Sequence, residues 1–293
     1  MSDHEVLRAA QRHTGVRAAH ERPLSGEATV VTLRDGREVV VKHGPGPGAA
    51  VAEASGLRWL AEHGDVPIPE VHGADDDWLV IDYIPRGRPT VEAAETFGRG
   101  LAALHLRQAP AFGSAPPGGR TDAWIGHARM RNEPHDDWPS FYARCRVEPY
   151  VRQAVDRGLF SAGEAAVFDE VCGRLPALAG AGEPPSRLHG DAWSGNVHWG
   201  ADDRVWLLDP AAHGGHRETD LAMLRLFGTP LLDHVLGAYR EAAEDLGRPL
   251  APCDEQRVPL HQLFPLLVHT VLFGGGYASK ARSAAHAALR APG

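Results

Sequence analysis

His189-Gly190-Asp191-Ala192-Trp193-Ser194-Gly195-Asn196-Val197-His198-Trp199 is followed by a turn from Gly200 to Arg204 and then by Val205-Trp206-Leu207-Leu208-Asp209. Asp191 and Asn196 stand in a D-x-x-x-x-N spacing, and Asp209 terminates an apolar strand. Phosphoryl transfer needs a carboxylate to orient a hydroxyl and oxygen ligands for a magnesium ion. A loop followed by a hairpin puts all three side chains at the same end of a small sheet. At this chain's own residue frequencies, H-G-D-x-x-x-x-N arises by chance about once in a thousand such sequences. An isolated Asp and Asn would read as turn formers. Their order and spacing with Asp209 favour chemistry.

Upstream, Ala28-Thr29-Val30-Val31-Thr32-Leu33 and Glu38-Val39-Val40-Val41-Lys42 flank Arg34-Asp35-Gly36-Arg37, whose D-G step predicts a hairpin turn. Gly44-Pro45-Gly46-Pro47-Gly48 must be a loop. Ala49 to His63 reads as a helix that Gly64 stops. On that helix Leu57 lies about 40° from Glu53 and Leu60 about 20° the other way, so the three share a face, while Glu62 lies opposite. A carboxylate on an apolar face needs a partner. Lys42, eleven residues upstream at the end of a strand, is the only lysine nearby. By itself it would read as a snorkelling edge lysine; with Glu53 it makes the ion pair that positions nucleotide phosphates in kinases.

Trp78-Leu79-Val80-Ile81 reads as a short buried strand leading to Pro85-Arg86-Gly87-Arg88-Pro89, where a lobe boundary is expected. Beyond it, Val91 to Arg107, Ala162 to Leu175 and Leu221 to Leu246 have helical spacing, and Leu260 to Leu272 is nearly all apolar. Pro110 to Arg120 is a breaker-rich loop. The coarse outcome is a β-rich small lobe followed by a mainly helical large one. No G-x-x-x-x-G-K-[ST] occurs, and Leu24-Ser25-Gly26-Glu27 offers one glycine where a G-x-G-x-x-G loop has three. Amides around Ser25 and Gly26 can cover phosphates, yet the same residues read equally well as an ordinary turn before a strand.

The chain has 293 residues, 43% of them hydrophobic, enough for a real core. Its net charge of −8 argues against a general nucleic-acid binder. No apolar run approaches the roughly 20 residues a bilayer requires. Met1-Ser2-Asp3-His4-Glu5 has no basic-then-apolar signal pattern, and Cys145, Cys172 and Cys253 have no C-x-x-C spacing, so a reducing, cytoplasmic setting is expected. Of the 30 basic residues only Lys42 and Lys280 are lysine, and Asn132 and Asn196 are the whole supply of asparagine. Such scarcity directs attention to the survivors.

Together these residues resemble the fructosamine kinase (ketosamine-3-kinase) family, within the group of small-molecule kinases related to aminoglycoside phosphotransferases. H-G-D-A-W-S-G-N is similar to the family's catalytic loop. Asp209-Pro210-Ala211 and Gly215-His216-Arg217-Glu218-Thr219-Asp220-Leu221-Ala222-Met223 resemble its metal-site segment and the following helix. Thr121-Asp122-Ala123-Trp124-Ile125-Gly126, with Asp137-Trp138 and Phe141-Tyr142, is similar to its large-lobe insert, and Leu272-Phe273-Gly274-Gly275-Gly276-Tyr277 to its C-terminal helix. The G-H-R-E segment discriminates best against the wider group. Two departures stand out. Leu24 to Ala28 lacks the family's paired glycines and frequent cysteine, so redox control there is not expected; His213-Gly214 replaces an aromatic pair.

The resemblance implies an α+β, bilobal protein-kinase-like fold, with a nucleotide-binding lobe over residues 1–84 and a catalytic and acceptor-binding lobe over 85–293. It implies ATP and Mg²⁺ as cofactors, Asp191 as catalytic base, Asn196 and Asp209 as magnesium ligands, and Lys42 with Glu53 as the ATP-orienting pair. Asp82-Tyr83-Ile84 would be the hinge that meets adenine. Trp193, His216, Arg217 and Glu218 would lie near the acceptor, and Asp220 would brace the catalytic loop. The expected acceptor is a ketosamine, free or protein-bound; the oligomeric state is not indicated. Three other readings remain: an aminoglycoside or amino-alcohol phosphotransferase of the same fold; a metal-dependent hydrolase using His189, Asp191, His198, His213 and His216; and a nucleotide-binding module without catalysis.

Overall fold

Why Val39-Val40-Val41 is apolar without alternation becomes clear once both faces of its strand are seen covered. In the computed structural model, which describes residues 3–291, α1 (Asp3–Thr14) precedes β1 (Ala18–Ser25), β2 (Ala28–Leu33), β3 (Glu38–His43), α2 (Ala49–Ala61), β4 (Val71–Ala74) and β5 (Trp78–Asp82). Met1, Ser2, Pro292 and Gly293, at the outer ends of the two expected lobes, lie outside the described residues. The strands form one antiparallel sheet in the order β1-β2-β3-β5-β4. Val31, Val39, Val41 and Val80 pack with Val6, Ala9 and Ala10 of α1, and Val30, Val40, Leu79 and Ile81 pack with Ala50, Ala54 and Leu57 of α2. The Asp35-Gly36 turn closes the expected hairpin, with Gly36 at φ +89°.

The large lobe follows the order α3 (Val91–Leu106), β6 (Asp122–Ile125), β7 (Ala128–Arg131), α4 (Trp138–Phe141), a π-helical stretch (Tyr142–Val147), α5 (Glu148–Asp156), α6 (Ala162–Leu178), β8 (Ser186–Leu188), β9 (Val197–Trp199), β10 (Val205–Leu207), β11 (His213–Gly215), α7 (Glu218–Leu226), α8 (Leu232–Asp245), α9 (Asp254–His261), α10 (Leu263–Phe273) and α11 (Gly276–Arg290). Three antiparallel hairpins or pairs, β6–β7, β8–β11 and β9–β10, are inserted among the helices. None of the described helices is long and apolar enough to cross a membrane.

Two expectations need correction. Leu221 to Leu246 is two helices, because Gly228 takes φ +73° and Pro230 follows, leaving a break between α7 and α8. The apolar run at Leu260 begins in the last turn of α9, and α10 starts at Leu263. The Pro85–Pro89 segment, where a lobe boundary is expected, is pinned to the β9–β10 hairpin: Gly87 N–H donates to Trp199 O at 2.7 Å and Ala201 N–H to Pro85 O at 2.8 Å. One core cluster joins Trp59, Leu60 and Val66 to α3, α7 and α8, so the foot of α2 is packed into the large lobe.

Helices α3 and α8 pack extensively, with a close approach at Gly98. A Cβ at Gly98 would come within 2.2 Å of Val235 O, and that atom is backbone, which cannot rotate away. Gly98→Ala is therefore expected to lose about 1–3 kcal/mol and to lower the melting temperature by several degrees in a thermal scan; an unchanged midpoint would show that the two helices are not held this close.

Candidate active site

The catalytic-loop segment runs between β8 and β9, and a buried carboxylate shapes it. Asp220, in the first turn of α7, accepts the amide N–H of His189 at 2.7 Å on one oxygen and that of Gly190 at 2.9 Å on the other. His105 of α3 adds a contact at 3.2 Å and is itself bonded to Tyr239 Oη at 3.0 Å. Burial would raise the Asp220 pKa, but these donors hold it below the ordinary carboxylate value. Gly190 sits at φ +81°, and a Cβ there would be 2.2 Å from Ala211 O, so the tight passage requires glycine. His189 donates through Nε2 to Leu208 O at 2.9 Å, which turns Nδ1 toward the Asp191 N–H at 3.3 Å.

Asp191 and Asn196 meet directly. Asn196 Nδ2 donates to the Asp191 main-chain oxygen and to its Oδ2, both at 2.9 Å, and reaches Asp209 O at 3.4 Å. The amide nitrogen is thus committed to the loop, leaving Oδ1 as the atom Asn196 can offer a cation. Asp209 follows β10 in a left-handed conformation, φ +53°, a region that residues other than glycine seldom adopt. Its Oδ1 lies 2.7 Å from Lys42 Nζ, and Glu53 Oε1 lies 2.8 Å from the same nitrogen. One ammonium therefore joins β3, α2 and the segment after β10. Burial opposes the Lys42 charge, yet the two carboxylates outweigh it and raise its pKa above the ordinary value. Burial raises Glu53. Burial also pushes Asp191 up to about 7, helped by Asp209 and Asp220 and opposed by the Asn196 hydrogen bond.

These groups border a cleft of about 360 Å³ between the lobes, lined from the small lobe by Ser25, Gly26, Lys42 and Glu53 and from the large lobe by Asp191, Trp193, Asn196 and Asp209. Two hard oxygen donors, Asn196 Oδ1 and the Asp209 carboxylate, suit a magnesium ion and would not select a soft metal.

The sequence profile described as "Fructosamine kinase" matches residues 27–291. The chain belongs to the fructosamine kinase family. A "Probable ketoamine kinase" of Thermus thermophilus is 37% identical over 261 residues, covering 87% of this chain and 88% of that protein. The solved structure of a fructosamine-3-kinase candidate from Thermobifida fusca superposes with TM-score 0.90 at 45% identity, covering 99% of this chain and 100% of that one. An aminoglycoside phosphotransferase in complex with gentamicin, APH(2")-IIa, shares the fold at TM-score 0.62 and 14% identity over 99% of this chain and 97% of its own. The protein is a phosphotransferase of the protein-kinase-like fold.

Not every residue implied by the family resemblance reaches the cleft. His216, Arg217 and Glu218, expected near the acceptor, do not line it and are almost wholly buried. Arg217 spends its donors on Glu183, twice at 2.7 Å, and on the carbonyls of Arg248 and Pro249. Glu218 is held by Arg257 at 2.6 and 2.9 Å, and the His216 ring packs at a tilt against those of Trp138 and His261, which also touch each other. Side chains so engaged lock α7 to its neighbours. Asp82, Tyr83 and Ile84 also stand outside the cleft lining: Asp82 accepts from His72 at 2.8 Å, and the Tyr83 N–H donates to Glu38 O. The hydrolase constellation does not assemble. Among the described residues, the two groups close enough to share an ion are Glu133, His135, Cys145 and His216, Glu218, His261, and neither contains Asp191.

The β6–β7 hairpin supplies much of the large-lobe wall, including Arg120 just before it and Trp124, Met130 and Asn132. Its strands have only four residues each, too short for a periodic signal. The scarcity of asparagine was the one sign that singled out Asn132.

Burial pushes His213 and His216 down to about 3, with Arg146 adding to the effect at His213 and His261 at His216. Both are neutral in the folded protein and become protonated in the unfolded chain below about pH 6.5, so their stabilisation is present above that pH and lost as pH falls. Each is expected to cost up to about 1.4 kcal/mol per pH unit through this range. Melting temperature should therefore decline between pH 6.5 and 4.5, and His213→Phe should flatten the slope; an identical slope in that variant would show that His213 protonates in place.

Proposed function

We propose that this protein is a ketosamine kinase that uses ATP and Mg²⁺ to phosphorylate a sugar hydroxyl of a glycated amine, free or protein-bound. The observation that carries the reading is the convergence of Asp191, Asn196, Asp209 and Lys42 on one cleft. Family membership and the names of the relatives, including the protein-ribulosamine 3-kinase of Arabidopsis thaliana at 29% identity, support the acceptor class. We assign the nucleotide to a lobe of residues 1–84 and the acceptor to 85–293, and we place the protein in the cytoplasm, where its three free cysteines would stay reduced.

In this reading Asp191 accepts the proton of the acceptor hydroxyl as its oxygen forms a bond to the γ-phosphorus and the bond to the β-phosphate oxygen breaks, releasing ADP. A carboxyl group poised near pH 7 suits that task, because it can bind and release a proton at little cost. Asn196 and Asp209 would hold the magnesium ion, which neutralises charge on the phosphoryl oxygens when bound. Lys42, fixed by Glu53, presents a compact positive charge to the phosphates. Ser25 and Gly26 close over them as the turn between β1 and β2, with Gly26 at φ +49° supplying the tight reversal. Trp193, on the catalytic loop, faces the acceptor.

Replacing Asp191 by Ala is expected to lower kcat by about 10²–10⁴-fold while ATP affinity, followed by calorimetry, stays close to wild type. Turnover equal to wild type would remove Asp191 from the mechanism. Phosphate transfer measured with a fructosyl-amine and with an aminoglycoside panel should favour the former; the opposite preference would overturn the acceptor class.

A further inference from the structure

The cleft wall contributed by residues 116–132 carries two buried N–H donors that no protein group satisfies. Asn132 is 1% exposed and borders the cleft. Its Oδ1 accepts from Arg146 Nη2 at 2.8 Å. A guanidinium only donates, so this bond fixes which end of the amide is oxygen and turns the NH₂ group away from Arg146. Nδ2 has no hydrogen-bond partner in the protein. Neither end can swing to find one. The Asn132 N–H is bound to Thr121 O at 2.7 Å. Arg146 is anchored on Arg131 O at 2.7 Å and lies over the rings of Phe141 and Phe264.

The second donor is Trp124 Nε1, also buried without a partner on the same wall. Its ring is clamped: the Arg129 guanidinium lies 4.0 Å from the ring centroid, and Gly46 approaches so closely that a Cβ there would come within 2.5 Å of the indole. Each unpaired buried N–H costs about 1–3 kcal/mol. Two of them on one wall make sense where a ligand seated in the cleft supplies the acceptors as the wall settles around it. The rest of that wall agrees, for it presents Arg120 and His127 to the cleft and no Asp or Glu. Such a surface recognises oxygen atoms and gives a polycation nothing to pair with.

We propose that Asn132 and Trp124 form an acceptor-binding subsite whose side-chain N–H groups donate to hydroxyl or carbonyl oxygens of the sugar moiety. The proposal rests on the kinase reading above and adds to it the residues that choose an oxygen-rich acceptor over an amine-rich one. Arg146 is a positioning residue that acts through the Asn132 amide.

Asn132→Asp keeps the oxygen that faces Arg146 and the shape of the side chain while removing both N–H donors; Trp124→Phe keeps an aromatic ring and removes one. Initial rates would be measured with Nε-fructosyl-lysine varied at saturating ATP, then with ATP varied, alongside a thermal melt. Each variant is expected to raise the KM for fructosyl-lysine about tenfold, equivalent to about 1.4 kcal/mol, with KM for ATP within about twofold of wild type. Trp124→Phe carries the test independently where Asn132→Asp melts early. An unchanged acceptor KM in both variants, with wild type active, overturns the subsite and leaves the kinase reading standing. A rise confined to the KM for ATP overturns it too, by moving the donors to the nucleotide. Wild type inactive on fructosyl-lysine sinks the kinase reading, and the sugar assignment falls with it.

Discussion

A single buried carboxylate sets the geometry of the cleft. Asp220 has no solvent exposure and is surrounded by three donors from two separate stretches of chain: His105 on α3 and the amides of His189 and Gly190. Desolvating a carboxylate is expensive, and only the hydrogen bonds to its charged form, about 1.5–3 kcal/mol each, make the position tolerable. The same bonds fix the backbone immediately before Asp191. Because Gly190 must also clear Ala211 O, the loop has one available path, and the direction of the Asp191 side chain follows from it. Precision at the cleft is thus inherited from a residue that does not border it.

The second constraint is charge. Glu53, Asp191 and Asp209 all line the cleft, with Asp220 behind them, and Lys42 is the one ammonium among them. Asp191 is left without a cationic side chain of its own, receives an amide from Asn196, and feels two neighbouring carboxylates; its proton affinity rises accordingly. The excess of negative charge favours a cation near the oxygen donors of Asn196 and Asp209, where the Asp209 backbone takes a left-handed conformation.

Much of this was legible in the sequence because it was local. The hairpin around Asp35-Gly36, the Lys42–Glu53 pair across the glycine loop and the meeting of Asp191 with Asn196 all depend on separations of a dozen residues or fewer, where periodicity and turn chemistry govern. What escaped was set by packing. β1 carries His20, Glu21 and Pro23 along an exposed edge, so it has no apolar alternation to recognise. The break between α7 and α8 was hidden by apolar residues on both sides of Gly228 and Pro230. His216, Arg217 and Glu218 were expected at the acceptor because the segment distinguishes the family, but polarity in a chain does not reveal whether the partner is a ligand or the protein. Here the partners were Glu183 and Arg257, about 35 to 40 positions away, beyond the reach of local rules.

That distinction also accounts for the lopsided use of basic residues. Arg146, Arg217 and Arg257 are all buried, and each bonds several groups at once: two carbonyls and an amide oxygen for Arg146, a carboxylate and two carbonyls for Arg217, a carboxylate and two carbonyls for Arg257. A planar fork with five donors can satisfy such sites, and its weaker hydration lowers the cost of burying it. An ammonium cannot span them. At Lys42 the demand is reversed: one small charge must sit within 2.8 Å of two carboxylates that converge from different lobes and still face the cleft. A guanidinium placed there would fork across Glu53 and Asp209 and fill the space in front of them. Arginine therefore holds the large lobe together, whereas at Lys42 the compact charge of a lysine bridges two carboxylates at the edge of the cleft.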